Sequence, residues 1–256
     1  MKTIIFLMST LLITSCVVPN YYQVYKSNVE NGVINKNKIV FEDKNCLVYY
    51  NLWSEGGDIG FSIYNKSESE LKIDLTKSFF ILNGVAFEYF QNRTFSNSTN
   101  TGITLSANIN QDKSKSNIDK ITGSNSSNYT ITYQEKPELT IPPKTMIKIA
   151  EYKITKSRYS NCDLEEIPSR NGISTLKFSK ENSPFVFYNL ITYKIQLETL
   201  KLENKFYVDE ITNLPSNKMF EYIDTNKCGL KLYFPIEVFK NESPNKFFII
   251  YSNDNY

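Results

Sequence analysis

The sequence contains no histidine among its 256 residues. Serine–histidine–aspartate and cysteine–histidine catalysis both need an imidazole base, so neither mechanism is open to this chain. Zinc sites with imidazole ligands, including the HExxH motif, are excluded for the same reason. Enzymes that use only carboxylates, lysine or tyrosine remain, and we predict that the protein is not an enzyme.

Glycine and proline are scarce, at 9 each, whereas the chain has 18 tyrosines and 17 phenylalanines. Aromatic and β-branched residues fit a pleated, half-buried surface, so this bias favours β-strands in a packed body. An excess of one charge is also missing, because 29 lysines and arginines face 27 acidic residues for a net charge of +2. Nucleic acid is therefore not an expected partner.

Motifs for nucleotides, hydrolysis and calcium are absent: the sequence has no GxGxxG, Walker A, GxSxG or DxDxDG pattern. We therefore predict no cofactor and no metal. Glu165 and Glu166 are adjacent carboxylates in a turn-rich stretch. Neighbours in an extended chain point to opposite faces, which does not suit a glycosidase pair. A carboxylate-dependent hydrolase is thus a lesser alternative.

The chain begins with a short positive region and an apolar run over residues 4–13. This is the length of a signal-peptide core and too short for a permanent transmembrane helix, which needs about 20 residues. The run ends in Ile-Thr-Ser-Cys at residues 13–16, which resembles the lipobox of bacterial lipoproteins. In that family the chain is cut before the cysteine, here Cys16, and its thiol is acylated.

This resemblance implies a signal peptide at residues 1–15 and a lipid anchor on Cys16, so that a membrane becomes a partner. The two valines after Cys16 lack the acidic character of inner-membrane retention signals. We therefore expect a lipid-anchored protein of the cell envelope, at the outer membrane and facing the periplasm. Residues 16–37 are polar without periodicity and are predicted to form a tether, followed by the folded body at 38–256.

Beyond the anchor, the chain has three cysteines: Cys46, Cys162 and Cys228. An odd number permits at most one internal disulfide, and the sequence does not choose among three pairings. The alternative is three small, buried apolar residues, which is how free cysteine usually behaves.

Strand patterns are dense in the body, where apolar residues alternate with polar ones at a period of two. The clearest are at 47–50, 59–64, 71–75, 129–133, 146–154, 185–195, 197–202, 206–208, 230–234 and 247–251. Residues 215–223 suggest a short helix with Ser216 as a possible cap. Residues 94–129 are rich in serine, asparagine, threonine and lysine, and are predicted to form a long exposed loop that is either a mobile insertion or a binding loop.

Residues 78–89 predict a β-hairpin around Asn83-Gly84. Asparagine and glycine accept the positive φ of a type I′ turn, whose twist matches that of the flanking strands. A two-residue loop places Leu82 opposite Val85 and Phe80 opposite Phe87.

Residues 45–154 resemble bacterial lipoproteins with immunoglobulin-like β-sandwich bodies. The resemblance rests on FSIYNKS at 61–67, LTKSFFILNG at 75–84 and IPPK at 141–144. It implies an all-β, immunoglobulin-like β-sandwich with a long polar insertion, and it brings no activity with it.

Three aromatic residues at a strand end are candidate ligand-stacking residues: Trp53, Tyr49 and Tyr50. Exposed rings could stack on a sugar, although the same residues commonly fill a sandwich core. Our leading hypothesis is a non-catalytic structural or interaction role with an envelope protein. The alternative is a glycan-binding module.

Overall fold

The computed structural model describes residues 20–101, 106–112, 115–122, 127–224, 226–227, 230–231 and 235–253, with side chains outside 97–133 and 225–234. Its strands are, in chain order, β1 (Asn20–Glu30), β2 (Val33–Asn35), β3 (Lys38–Glu42), β4 (Cys46–Tyr50), β5 (Phe61–Asn65), β6 (Leu71–Asp74), β7 (Phe79–Leu82), β8 (Val85–Glu88), β9 (Thr94–Thr101), β10 (Ser106–Asp112), β11 (Lys115–Thr122), β12 (Ser127–Gln134), β13 (Glu138–Ile141), β14 (Met146–Ile149), β15 (Ser174–Lys177), β16 (Val186–Ile195), β17 (Glu198–Pro215), β18 (Phe220–Ile223), β19 (Asn226–Lys227), β20 (Leu230–Lys231), β21 (Ile236–Phe239) and β22 (Lys246–Ser252). The described helices are a 3-10 turn at Leu75–Lys77 and α1 at Ser216–Met219, and neither is long and apolar enough to cross a membrane.

Two antiparallel sheets form the body of the protein. The larger has nine strands along the path β13-β6-β16-β17-β1-β22, with β15 also on β17, β7 on β16 and β8 on β7. The smaller has five strands in the order β14-β5-β4-β3-β2. The predicted all-β, sandwich-like fold is confirmed, and the immunoglobulin-like topology stays a prediction.

The core lies between the inner faces of these two sheets. Alternate residues of β5 are buried, which directs Phe61 and Ile63 inward. Across the interface, the ring of Phe206 in β17 lies 5.4 Å from Phe41 and 5.3 Å from Tyr50, centroid to centroid. Each fully buried side chain of this kind contributes about 1.5–3 kcal/mol. The aromatic bias of the sequence therefore stabilises the sandwich directly.

The predicted hairpin at residues 78–89 is confirmed in its register. β7 pairs with β8 so that Leu82 lies opposite Val85 and Phe80 opposite Phe87. Asn83 and Gly84 have φ angles of 48° and 82°, as a type I′ turn requires.

The prediction of a tether over residues 16–37 is wrong from Asn20 onward. Asn20–Glu30 forms β1, which pairs with β17 on one side and β22 on the other. Its inward residues include Gln23 and Ser27, which are 1% and 0% exposed. Hydrogen bonds satisfy the Gln23 amide, which donates to Asn213 Oδ1 at 2.9 Å. Because polar residues occupy inward positions, β1 has no apolar alternation, and the folded body includes β1 as well as the residues from Lys38 onward.

β17 is a continuous strand of 18 residues, so the prediction of separate strands at 197–202 and 206–208 is wrong. Its first half pairs with β16 and its second half with β1 and β15. The register with β1 shifts at Asp209: Ser27 pairs with Val208 and the neighbouring Lys26 pairs with Glu210, which leaves Asp209 as an extra residue. Such a β-bulge increases the local twist of the strand.

The prediction of a loop at residues 94–129 is also wrong, because the backbone there forms four strands. β9 pairs with β12. β10 and β11, which lie between them in the sequence, pair with each other. Both are two-stranded sheets separate from the sandwich. Main-chain hydrogen bonds build such ladders without apolar side chains, so the polar composition did not predict them.

A second, smaller cluster covers part of the outer face of the large sheet. Tyr22, Phe248 and Met219 are its buried members. The helix predicted at residues 215–223 is confined to the four residues of α1. Ser216 is its first helical residue rather than its cap, and Pro215 holds the cap position.

Candidate functional site

The three predicted stacking residues do not form one platform. Tyr50 is 1% exposed and faces the core, where its hydroxyl donates to Asn204 Oδ1 at 3.1 Å. The prediction of a stacking role for Tyr50 is therefore wrong. Tyr49 is half-buried on the opposite, outer face of β4. Trp53 packs its ring against Phe239 and Phe248, at centroid distances of 5.2 and 5.1 Å.

A shallow groove on the outer face of the smaller sheet contains Tyr49. The strand register places Tyr49 beside Ser62 and Tyr64 beside Met146. The groove has a volume of about 570 Å³, and Lys38 and Lys144 complete its lining. The outward positions of Ser62 and Tyr64 follow from the alternation of β5, but the sequence did not indicate that Lys144 lies beside them. We call this surface the tyrosine–lysine groove.

Lysines give the tyrosine–lysine groove a positive character. Lys38 Nζ lies 3.9 Å from the centroid of the Tyr49 ring, in a cation–π contact. Lys144 Nζ forms an ion pair with Glu68 Oε1 at 2.9 Å. Lys148 lies beside Ser62 in the register and lines an adjoining cavity of about 170 Å³. An anionic group is thus the natural complement of this surface.

Trp53 lines a different cavity, which lies on the outer face of the larger sheet. Its volume is about 250 Å³, and it lies between strands β1, β15, β17 and β22 on one side and α1 on the other. Apolar side chains form part of its wall, including Val24, Leu214 and Met219. We call it the tryptophan cavity.

Three charged residues that line the tryptophan cavity belong to a row of four across the larger sheet. The register aligns Lys246, Lys26, Glu210 and Lys177 on four neighbouring strands. Lys26 Nζ lies 3.9 Å from Asp209 Oδ2. Burial, together with the ammonium of Lys26, holds the pKa of Lys246 below its usual value, although Glu210 acts in the opposite direction. This row could not be predicted from the sequence, because its members are far apart along the chain.

The adjacent carboxylates Glu165 and Glu166 lie in an irregular segment, as the sequence predicted. Both are exposed, and Glu166 forms an ion pair with Arg158. Asn213 donates to the backbone oxygen of Glu165 at 2.9 Å, which ties this turn to β17. The pair does not converge on a cleft with a third group.

The two described cysteines are free thiols in different environments. Cys46 is buried, and its thiol contacts Asp43 Oδ1 at 3.4 Å. Burial, with the nearby Asp43 carboxylate, raises the pKa of Cys46, so the thiol stays protonated. Cys162 is exposed, so the expectation of a buried apolar role is wrong there. Cys16 and Cys228 lie outside the described residues.

Within the described ranges, no group of three or more cysteine, aspartate or glutamate side chains could hold a metal ion. Comparison with known proteins adds no functional assignment. No protein-family model, curated protein or solved structure matches the chain.

Proposed function

We propose that the protein is a lipid-anchored lipoprotein of the cell envelope, with a non-catalytic interaction role. The observation that carries the anchor is the sequence of residues 1–16, with its apolar run ending in Ile-Thr-Ser-Cys. Acyl chains contribute about 0.8 kcal/mol per buried CH₂, and two or more chains anchor a protein stably. A periplasm-facing position at the outer membrane is part of this proposal.

Labelled fatty acid tests the anchor, with a second cysteine as the matched control. The full-length protein should take up the label, and Cys16→Ala should abolish it. Cys162→Ser removes an exposed thiol and should leave the label unchanged. Retention of the label in Cys16→Ala would show that the anchor lies elsewhere.

The structure changes the expected spacing between the lipid and the body. Since β1 begins at Asn20, only four residue steps follow Cys16, and they span at most about 14 Å. The register places Ser252 and Pro215 beside the start of β1. An acylated Cys16 therefore holds this end of the larger sheet close to the membrane. Leu197 lies before the opposite end of β17, about 55 Å away along an extended strand of this length.

A fluorophore attached at Ser252→Cys should be quenched by a quencher confined to the lipid phase. The same fluorophore at Leu197→Cys should not be quenched. Both substitutions are made together with Cys162→Ser and Cys228→Ser, because Cys162 is exposed and Cys228 lies outside the described residues. Equal quenching at the two sites would refute this orientation.

We propose the tyrosine–lysine groove as the contact surface for an envelope partner. It combines half-buried tyrosines with the 56% exposed Met146 and with cationic side chains. Aromatic residues and methionine are enriched at protein interfaces because they offer large contact areas at little entropic cost.

A photo-cross-linking residue tests the groove in intact cells. A cross-linker at Met146 should capture one discrete partner, and Tyr64→Ala should abolish the capture. A cross-linker at Leu197, which is 102% exposed, is the control and should capture none. Capture of the same products from both positions would contradict a dedicated surface.

The same groove supports the second candidate, glycan binding. The Lys38 ammonium lies over the Tyr49 ring, so a neutral sugar would have to displace it before stacking there. An acidic polysaccharide can instead pair with the lysines while it contacts Tyr64. Affinity electrophoresis in polygalacturonate should then retard the protein, and Lys38→Ala should reduce the effect. Equal retardation in neutral dextran would contradict this reading.

A further inference from the structure

The tryptophan cavity has a combination of features that the proposed anchor and groove do not use. It lies on the larger sheet, whereas the tyrosine–lysine groove lies on the smaller one. Its lining combines apolar side chains with the three lysines Lys26, Lys218 and Lys246. Among the lining residues, Glu210 is the single acid. The Asp209 carboxylate lies 3.9 Å from Lys26 Nζ outside this lining, so three cations face two anions and the excess of positive charge is +1.

Two of these lysines oppose each other directly. Lys26 in β1 pairs in register with Lys246 in β22. Like charges in directly opposite positions destabilise an antiparallel pair. Lys246 Nζ has a long contact with the Asn241 backbone oxygen at 3.4 Å, and within the described part of the chain it forms no ion pair. The lowered pKa of Lys246 agrees with this unfavourable environment. An anion between the two ammonium groups would relieve it.

The apolar side of the cavity provides a place for a ring. Trp53, Met219 and Leu214 line it, and the Trp53 ring is held by Phe239 and Phe248. The volume of about 250 Å³ is smaller than that of a site for a drug-sized ligand.

We propose that the tryptophan cavity binds a small aromatic carboxylate. The carboxylate lies between Lys26 and Lys246, and the ring packs against Trp53. This assignment is independent of acylation and of the tyrosine–lysine groove, so either can fail without affecting it.

Benzoate is the probe, with benzyl alcohol and benzylamine as neutral and cationic controls. Trp53 is the chain's single tryptophan, so its fluorescence reports on this cavity alone. Benzoate should change the Trp53 emission saturably in the purified full-length protein. Benzyl alcohol should bind about ninefold to twenty-five-fold more weakly, which corresponds to the loss of two partly exposed ion pairs, one with Lys26 and one with Lys246. Benzylamine should not bind.

Three charge variants test the orientation of the ligand. Lys246→Met should weaken benzoate about threefold to fivefold, whereas Glu210→Gln should strengthen it by a similar factor because it removes the opposing charge. Lys72→Met alters an exposed lysine on β6, which lies three strands away from β1, and should change nothing. Circular dichroism identifies a variant that has unfolded. Glu210→Gln is expected to bind benzoate more tightly, and unfolding cannot produce tighter binding.

The proposal is overturned if Trp53 emission shows no saturable response to benzoate. It is also overturned if benzyl alcohol binds as tightly as benzoate, or if Lys72→Met weakens benzoate as much as Lys246→Met does.

Discussion

Tyr49 and Tyr50 are neighbours in β4 with opposite environments, so replacing each with phenylalanine compares the two faces of the smaller sheet. The Tyr50 hydroxyl donates to Asn204 Oδ1 at 3.1 Å and accepts from Asn189 Nδ2 at 3.2 Å. Both asparagines are buried, at 3% and 0% exposure. Tyr50→Phe therefore removes two buried hydrogen bonds and leaves Asn204 Oδ1 without this donor.

The size of the effect follows from these two bonds. A neutral hydrogen bond contributes about 0.5–1.5 kcal/mol, so Tyr50→Phe should lower the free energy of unfolding by about 1–3 kcal/mol. Tyr49→Phe affects a half-buried hydroxyl on the outer face and should change it by less than about 0.5 kcal/mol.

Urea unfolding followed by circular dichroism measures both variants, with equal slopes as the control for an unchanged unfolded state. Equal losses for the two variants, or a larger loss for Tyr49→Phe, would refute the assignment of Tyr50 to the core.

Three further predictions concern a turn, a carboxylate and the thiols. Gly84→Ala should lower the free energy of unfolding by about 1 kcal/mol in the same urea assay, because φ is 82° at this position and an alanine there is strained even though nothing lies within 4 Å of the added Cβ. Gly84→Asn should recover most of this loss. If Gly84→Ala left the stability unchanged, the type I′ turn would be contradicted. Burial alone would raise the pKa of Asp43, but hydrogen bonds from the Tyr193 hydroxyl and nearby backbone N–H groups outweigh it and hold the pKa below 3.8. A lowered folded-state pKa gives stability that is complete above the unfolded value and is lost as pH falls through the folded value. Asp43→Asn should therefore lower the free energy of unfolding by about 1 kcal/mol at pH 6 and by less at pH 3. The same loss at both pH values would count against the hydrogen bonds to the Asp43 carboxylate. A thiol reagent should modify Cys162 in the native protein and Cys46 only after unfolding, because Cys162 is exposed and Cys46 is buried. Mass spectrometry measures the two rates, and equal rates in the native protein would contradict the burial of Cys46.

The hairpin at residues 78–89 shows what local sequence determines. Asn83 and Gly84 satisfy the backbone angles of one turn type, and a two-residue loop leaves a single register for the strands on each side. Every determinant lies within twelve neighbouring residues, so no long-range information is needed.

β1 and β17 show where such reasoning stops. Gln23 and Ser27 lie on the inward face of β1, and Asn204 lies on the inward face of β17. Their partners are distant in sequence: the Gln23 amide pairs with Asn213, and Asn204 with Tyr50. A polar residue at an inward position interrupts the apolar period, and only the folded structure shows that the side chains of Gln23 and Asn204 have hydrogen-bond partners there.

The candidate sites were predictable only in part. Alternation in β4 required one of Tyr49 and Tyr50 to face outward, but which one depends on where the larger sheet packs. The row of Lys246, Lys26, Glu210 and Lys177 joins four strands whose order along the chain differs from their order in the sheet. The meeting of Lys26 with Lys246 therefore had no local signature.

The central claim is that the mature protein begins with an acylated Cys16. Mass spectrometry of the N-terminal peptide from membrane-purified protein tests it most directly. We expect a peptide that starts at Cys16 and carries the mass of attached acyl chains. A peptide that starts at Met1, or an unmodified Cys16 within an intact chain, would contradict the account.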